Sequence, residues 1–169
     1  MKHFKTIAVA LVMFLAATSF VTAQSKVAHI DVTQLLSAMP AMKTAEAELK
    51  KLSETYNADI EAAMTEFQNK ATQYQNEAQS KSKEENEKRA VELQTMKQTI
   101  GEANQNAQQE LQKKQGELFE PISKTAKEAI EKVAAAQGIE YVIDAQPGGG
   151  LIVASGKDLL ADVKKELGI

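Results

Sequence analysis

The 169 residues contain no cysteine and no tryptophan, and aromatic residues make up only 5%. Without cysteine there are no disulfides, no thiolate metal sites, no cysteine nucleophile and no lipid-modified cysteine anchor. So few rings also exclude a large aromatic core. Proline occurs three times, and neither proline nor glycine interrupts the chain between Pro40 and Gly101. Long apolar runs are missing beyond the N-terminus, where nothing approaches the roughly 20 residues that a membrane-spanning helix needs. The hydrophobic share, 43%, and the charged share, 25%, are ordinary for a soluble chain.

The N-terminus carries an address. Lys2, His3 and Lys5 form a positive start, Ile7 to Ala17 is apolar, and Val21-Thr22-Ala23 offers the small residues of a signal-peptidase site. Cleavage after Ala23 is expected, making residues 1–23 a signal peptide and leaving one domain-sized chain outside the cytoplasm. Losing Lys2 and Lys5 leaves 18 basic against 23 acidic side chains, a net charge of −5. That balance argues against nucleic acid as a partner.

Val27 to Val32 alternates, with Ala28, Ile30 and Val32 on one face, and predicts a half-buried strand followed by a short helix from Thr33 to Ala38. Pro40 suits the first turn of a new helix. The stretch that follows repeats every 11 residues: Ala45, Tyr56, Phe67 and Ala78 form one row, Leu49, Ile60 and Ala71 a second, Leu52, Ala63 and Tyr74 a third. Downstream, Met96, Ala107, Leu118 and Ala129 form a row, as do Ile100, Leu111, Ile122 and Val133. Eleven residues in three turns keep a stripe on one face of a nearly straight helix. Two long helices with matching stripes are therefore expected.

In an antiparallel pair the residue numbers at each level share a constant sum, here about 163, which sets Ala45 beside Leu118, Leu52 beside Leu111, Tyr56 beside Ala107, Ala63 beside Ile100 and Phe67 beside Met96. The tip then falls near residues 80–83, where Ser82 and Glu85 form a capping-box pattern. An arm over residues 40–120, about 60 Å long, is implied. Its second helix is weak in the middle: residues 101–109 are rich in Asn, Gln and Ala, and Gly101 and Gly116 each cost about 1 kcal/mol against alanine. A flexible arm follows, with Pro121 as a hinge where it meets residues 24–39 and 121–169.

Past Gly138, a helix C-cap residue, residues 139–145 and 151–154 read as a hairpin across Gln146-Pro147-Gly148-Gly149-Gly150, and the closing helix is expected from Lys157 after a second cap pattern at Ser155 to Asp158. The fold class is α+β, mostly α: a small β body carrying a long helical hairpin. Three short strands make a poor core and leave open edges. Oligomerisation through the body is the remedy, with Ile30, Val32, Tyr141, Val142, Ile143, Leu151, Ile152 and Val153 as the interface candidates.

Catalytic constellations fail one by one. His29 is the only histidine of the mature chain and has no ligand cluster around it, so it reads as an ordinary side chain on a strand. Gly148 to Asp158 misses the phosphate-loop spacing, because Leu151 stands where the first glycine belongs and Asp158 follows Lys157. No nucleophile elbow surrounds Ser25, Ser37 or Ser155. Glu46 with Glu48, and Glu84 with Glu85, read as solvated helix faces. No enzyme, cofactor or metal is expected. Two binding surfaces remain. Tyr56, Ile60, Met64, Phe67, Tyr74, Met96 and Ile100 are seam or client-contact candidates, and Lys81, Lys83, Lys88 and Arg89 form a basic group at the tip that also has three glutamates.

The order of parts resembles the Skp (OmpH-like) family of periplasmic chaperones of outer-membrane proteins. The likeness rests on Lys26 to Val32 with Leu35-Leu36, Met39-Pro40, Ala47 to Leu52, Gly138 to Ala145 and Asp158 to Val163. It implies a homotrimer in the periplasm, whose body sheets join and whose arms enclose a cavity that holds unfolded outer-membrane β-barrel proteins without ATP. Lipopolysaccharide or an anionic membrane surface is a further partner that the resemblance suggests for the tip. A structural coiled-coil spacer or adaptor of the envelope is the alternative reading.

Overall fold

The computed structural model describes residues 26–169. The expected leader, 1–23, lies outside them. The first strand, β1, is Val27–Ile30, with Ala28 and Ile30 each 1% exposed. Asp31 ends it by capping helix α1 (Val32–Ala38), its side chain accepting from the Gln34 N–H at 2.8 Å. The expected strand to residue 32 is therefore too long by two residues. Val32 opens the helix instead.

Met39 stays extended ahead of Pro40, which occupies the first turn of α2 (Pro40–Glu77). A 3₁₀ turn, Ala78–Ser80, leads to α3 (Lys83–Ala136). The tip forms as the sequence predicts. Ser82 Oγ accepts from the Glu85 N–H at 3.1 Å, and Asn86 Nδ2 donates to the Ala78 carbonyl at 2.9 Å, tying the two helix ends together. Helix α3 continues through Pro121 without a break, so one 54-residue helix is both the returning half of the arm and a wall of the body. It ends in a Schellman turn. Gly138 takes φ +67°, its N–H donates to the Ala135 carbonyl, and the Ile139 N–H reaches back to Ala134.

Strand β2 (Tyr141–Asp144) and the two-residue β3 (Lys157–Asp158) both lie parallel to β1, in the order β2-β1-β3. The register places Val27 opposite Tyr141 and His29 opposite Ile143. This corrects the expected hairpin over 139–154. The first half does form a strand, but its partner is β1, more than a hundred residues earlier, and residues 151–155 form no strand. A turn does form, with the Gly149 N–H donating to the Gln146 carbonyl at 3.0 Å, but the chain beyond it does not return beside β2, which pairs with β1 instead. The closing helix, α4 (Leu160–Leu167), starts three residues later than expected, with the Asp158 carboxylate accepting from the Leu160 N–H at 2.8 Å.

The core lies where the sheet meets α1, α3 and α4: Leu35, Leu159 and Val163 are fully buried there, with Ile30, Ile122, Ala126, Val133 and Ile139 around them. Ion pairs Lys26–Glu140 and Lys132–Glu166 and the Gln137–Asp162 hydrogen bond (2.8 Å) close its rim.

Candidate functional site

Every residue of the five 11-residue rows is at least half-buried in the single chain, apart from Ala78 at the tip turn. The predicted pairing also holds, to within a few residues of the constant sum: Lys114 meets Glu48 at 2.8 Å near the base, and Lys70 meets Glu92 near the tip. Yet the seam is shallow. In α2 only Ala45 is buried, and in α3 the buried residues are Ala107 and then only those from Ile122 onward, inside the body.

Hollows mark the imperfect fit. One of about 270 Å³ is lined by Ala63, Lys70, Met96, Thr99 and Ile100, and another of about 280 Å³ by Met64, Phe67, Gln68, Lys97 and Ile100. Of the seven proposed contact residues, Tyr56, Ile60, Phe67, Tyr74, Met96 and Ile100 sit in the seam, half-exposed, while Met64, on the wall of the second hollow, is 45% exposed.

At the tip the seam changes character. Arg89 donates to Glu77 at 2.7 Å, approaches Glu85 at 3.5 Å and stacks over the Tyr74 ring at 4.5 Å. Tyr74 Oη donates to Glu92 at 2.6 Å, and Glu92 also receives Lys70. These contacts hold the Glu92 carboxyl below the usual carboxylate range, first through Lys70 and then through Tyr74. Gln73 and Arg89 do the same for Glu77. Lys70 and Tyr74 are pushed up by the hydrogen bonds they give Glu92. The Arg89 side chain is only 11% exposed. Of the four candidate tip contacts, Arg89 is thus engaged between the two helices rather than presented at the surface. Lys81, Lys83 and Lys88 remain exposed there, with Lys83 3.9 Å from Glu87.

The proposed interface residues divide between two sides of the sheet. Ile30 is sealed in the chain's own core, and Val32 and Val142 pack against it, so these three are not free for another chain. Tyr141 (64% exposed), Ile143 (43%), Ile152 (96%) and Val153 (73%) are open, and Leu151 is half-buried. Val27, beside Tyr141 and 39% exposed, belongs to the same open face, though the alternation gave it no place among the candidates. His29 lies between these residues on that face. Among the described residues, no three His, Asp or Glu side chains converge as metal ligands.

Pro121 is exposed inside α3, where the helix enters the body, and Thr125 Oγ1 donates to its carbonyl at 3.0 Å. Asp144 was missed by the sequence reading. Its carboxylate accepts from the N–H groups of Val32 (3.2 Å) and Gln146 (3.1 Å), joining the start of α1 to the start of the glycine loop. An acidic residue ending a strand was the available signal.

Comparison with known proteins gives a consistent result. The family model described as outer membrane protein (OmpH-like) matches residues 26–167. A protein named chaperone protein Skp, from Pectobacterium atrosepticum, is 23% identical over 160 residues, covering 95% of this chain and 96% of its own length. A crystal structure described as an OmpH-like outer membrane chaperone, from Caulobacter crescentus, superposes with a TM-score of 0.75 at 18% identity, covering 85% of this chain and 83% of that one. The last likeness shows the fold.

Proposed function

The chain belongs to the OmpH-like family of outer membrane proteins, and on that premise we propose that it is an ATP-independent periplasmic holdase for unfolded outer-membrane β-barrel proteins. The observation that carries this reading is the half-open seam. An arm of two helices that leaves Tyr56, Ile60, Met64, Phe67, Met96 and Ile100 partly exposed offers many weak apolar contacts along its length. Methionines among them adapt to differently shaped side chains. Such contacts hold an unfolded chain without selecting one sequence, and enclosure keeps its strands from pairing with other chains.

A cage needs more than one arm. The open sheet face and the unpaired segment 151–154 support self-association through the body, and a homotrimer is the assembly that the family resemblance suggests. Tyr141, Ile143, Ile152, Val153 and Val27 are the surface we assign to it. Lys81, Lys83 and Lys88 would then stand at the open end of the cage, where lipopolysaccharide or an anionic membrane surface is the partner for them.

The test is the mass in solution of complexes formed when several unrelated urea-unfolded barrel proteins are diluted into nucleotide-free buffer with the mature protein. A holdase forms a soluble one-to-one complex of client and oligomer with each. Binding to a single folded envelope protein, and to none of the barrels, would instead identify a structural spacer or adaptor.

A further inference from the structure

Two ends of the arm are pinned and its middle is not. Near the base, Glu48 and Lys114 join the helices at 2.8 Å and Ala45 is buried. Near the tip, Arg89 bridges to Glu77 and lies over Tyr74, Tyr74 and Lys70 share Glu92, and Asn86 ties α3 to the end of α2. At the tip these charge-assisted contacts, with Arg89 only 11% exposed, hold the two helices in one register; at the base the Glu48–Lys114 pair is more exposed, and the junction with the buried body fixes the helices there. Between these pins Ala107 is the one buried residue, and among the described residues no ion pair or side-chain hydrogen bond crosses from α2 to α3. Gly101 sits in α3 with nothing within 4 Å of where a Cβ would be, so no packing demands the glycine. Ile100 is flanked by the two hollows, and residues 101–106 are all exposed.

We infer that the arm is a strut clasped at its tip and at its base, which yields between them around Gly101, so that it changes shape by bowing in the middle while its tip stays closed. A helical hairpin held by a uniform seam would do the opposite, fraying progressively toward the tip. The inference concerns the arm alone. Its consequence, a cage that widens at mid-height for a bulky client, rests on the holdase reading.

Amide hydrogen exchange on the intact protein at neutral pH, resolved along α2 and α3, tests it without any client. Amides at 70–77 and 86–95 should exchange about tenfold more slowly than those at 99–109 and 55–64. Protection that falls steadily from base to tip would overturn the inference. Arg89→Ala and the milder Tyr74→Phe, which keeps the ring under the guanidinium, should each lose protection at the tip only, the first more than the second. Gly101→Ala should raise protection in the middle and leave the tip unchanged. A uniform change along the arm in all three variants would show that no separate clasp exists. Because none of these readouts involves a client, the strut and the holdase stand or fall separately.

Discussion

Arg89 shows how a single side chain can be read two ways from sequence. Next to Lys88 in a charged run it looks like a surface contact, but Glu77 and Tyr74 approach it from the other helix, at distances along the chain that no local pattern reveals. The same contacts predict a pH response. Glu77 and Glu92 are held below the usual carboxylate range, so their stabilising contribution is intact at neutral pH and is lost as pH falls past the ordinary glutamate value and through their lowered folded-state values. Asp162, held down by Gln137 and then Lys157, adds the same dependence in the body. Acid titration followed by circular dichroism should show helix loss beginning below pH about 4; Glu92→Gln should lessen that loss. Glycine gives a second prediction. Gly101→Ala and Gly116→Ala, with open space at both positions, should each stabilise the protein by up to about 1 kcal/mol in urea melts. In the core, Leu35→Ala removes a fully buried side chain and should cost about 2–5 kcal/mol.

Whether an element was legible in the sequence depended on how local its causes were. Helices α2 and α3, their pairing and their tip follow from an 11-residue repeat, a proline at the start and a serine cap, all of which act within a few turns. The sheet was only half legible. Residues 141–144 have a strand's composition, but their partner is β1, and the apolar run 151–154, equally strand-like, pairs with no strand among the described residues. Pairing between distant segments is decided by tertiary structure, and local β-propensity cannot choose between a hairpin and a parallel neighbour. Along the arm, the apolar rows lie half-buried in the seam. On the sheet, alternation put Ile30 and Val32 on one face but could not show that this side is the chain's own core, or that Val32 has already left the strand. For the arm, Ile100→Asp or Leu111→Asp puts a charge into the half-buried seam and should lower arm helicity without changing the oligomer's mass by sedimentation. Loss of the oligomer would show that the arms hold it together.

At the scale of the whole molecule, the body concentrates its burial in one small core and leaves an apolar sheet face uncovered, while the arm spreads half-buried side chains over its full length. The first arrangement suits assembly and the second suits holding a partner without a fixed shape. Ile143→Asp places a charge on the open face, away from the chain's own core, and should dissociate the proposed oligomer while the monomer keeps its helices; an unchanged mass would remove that face from the proposed interface. Turbidity measures the central claim most directly. A urea-unfolded outer-membrane barrel protein is diluted into nucleotide-free buffer, with and without excess mature protein, at low and at high salt. The account predicts that aggregation is suppressed at both, because apolar seam contacts survive the screening that weakens exposed charges. Full aggregation of several barrels in the presence of the protein would contradict it.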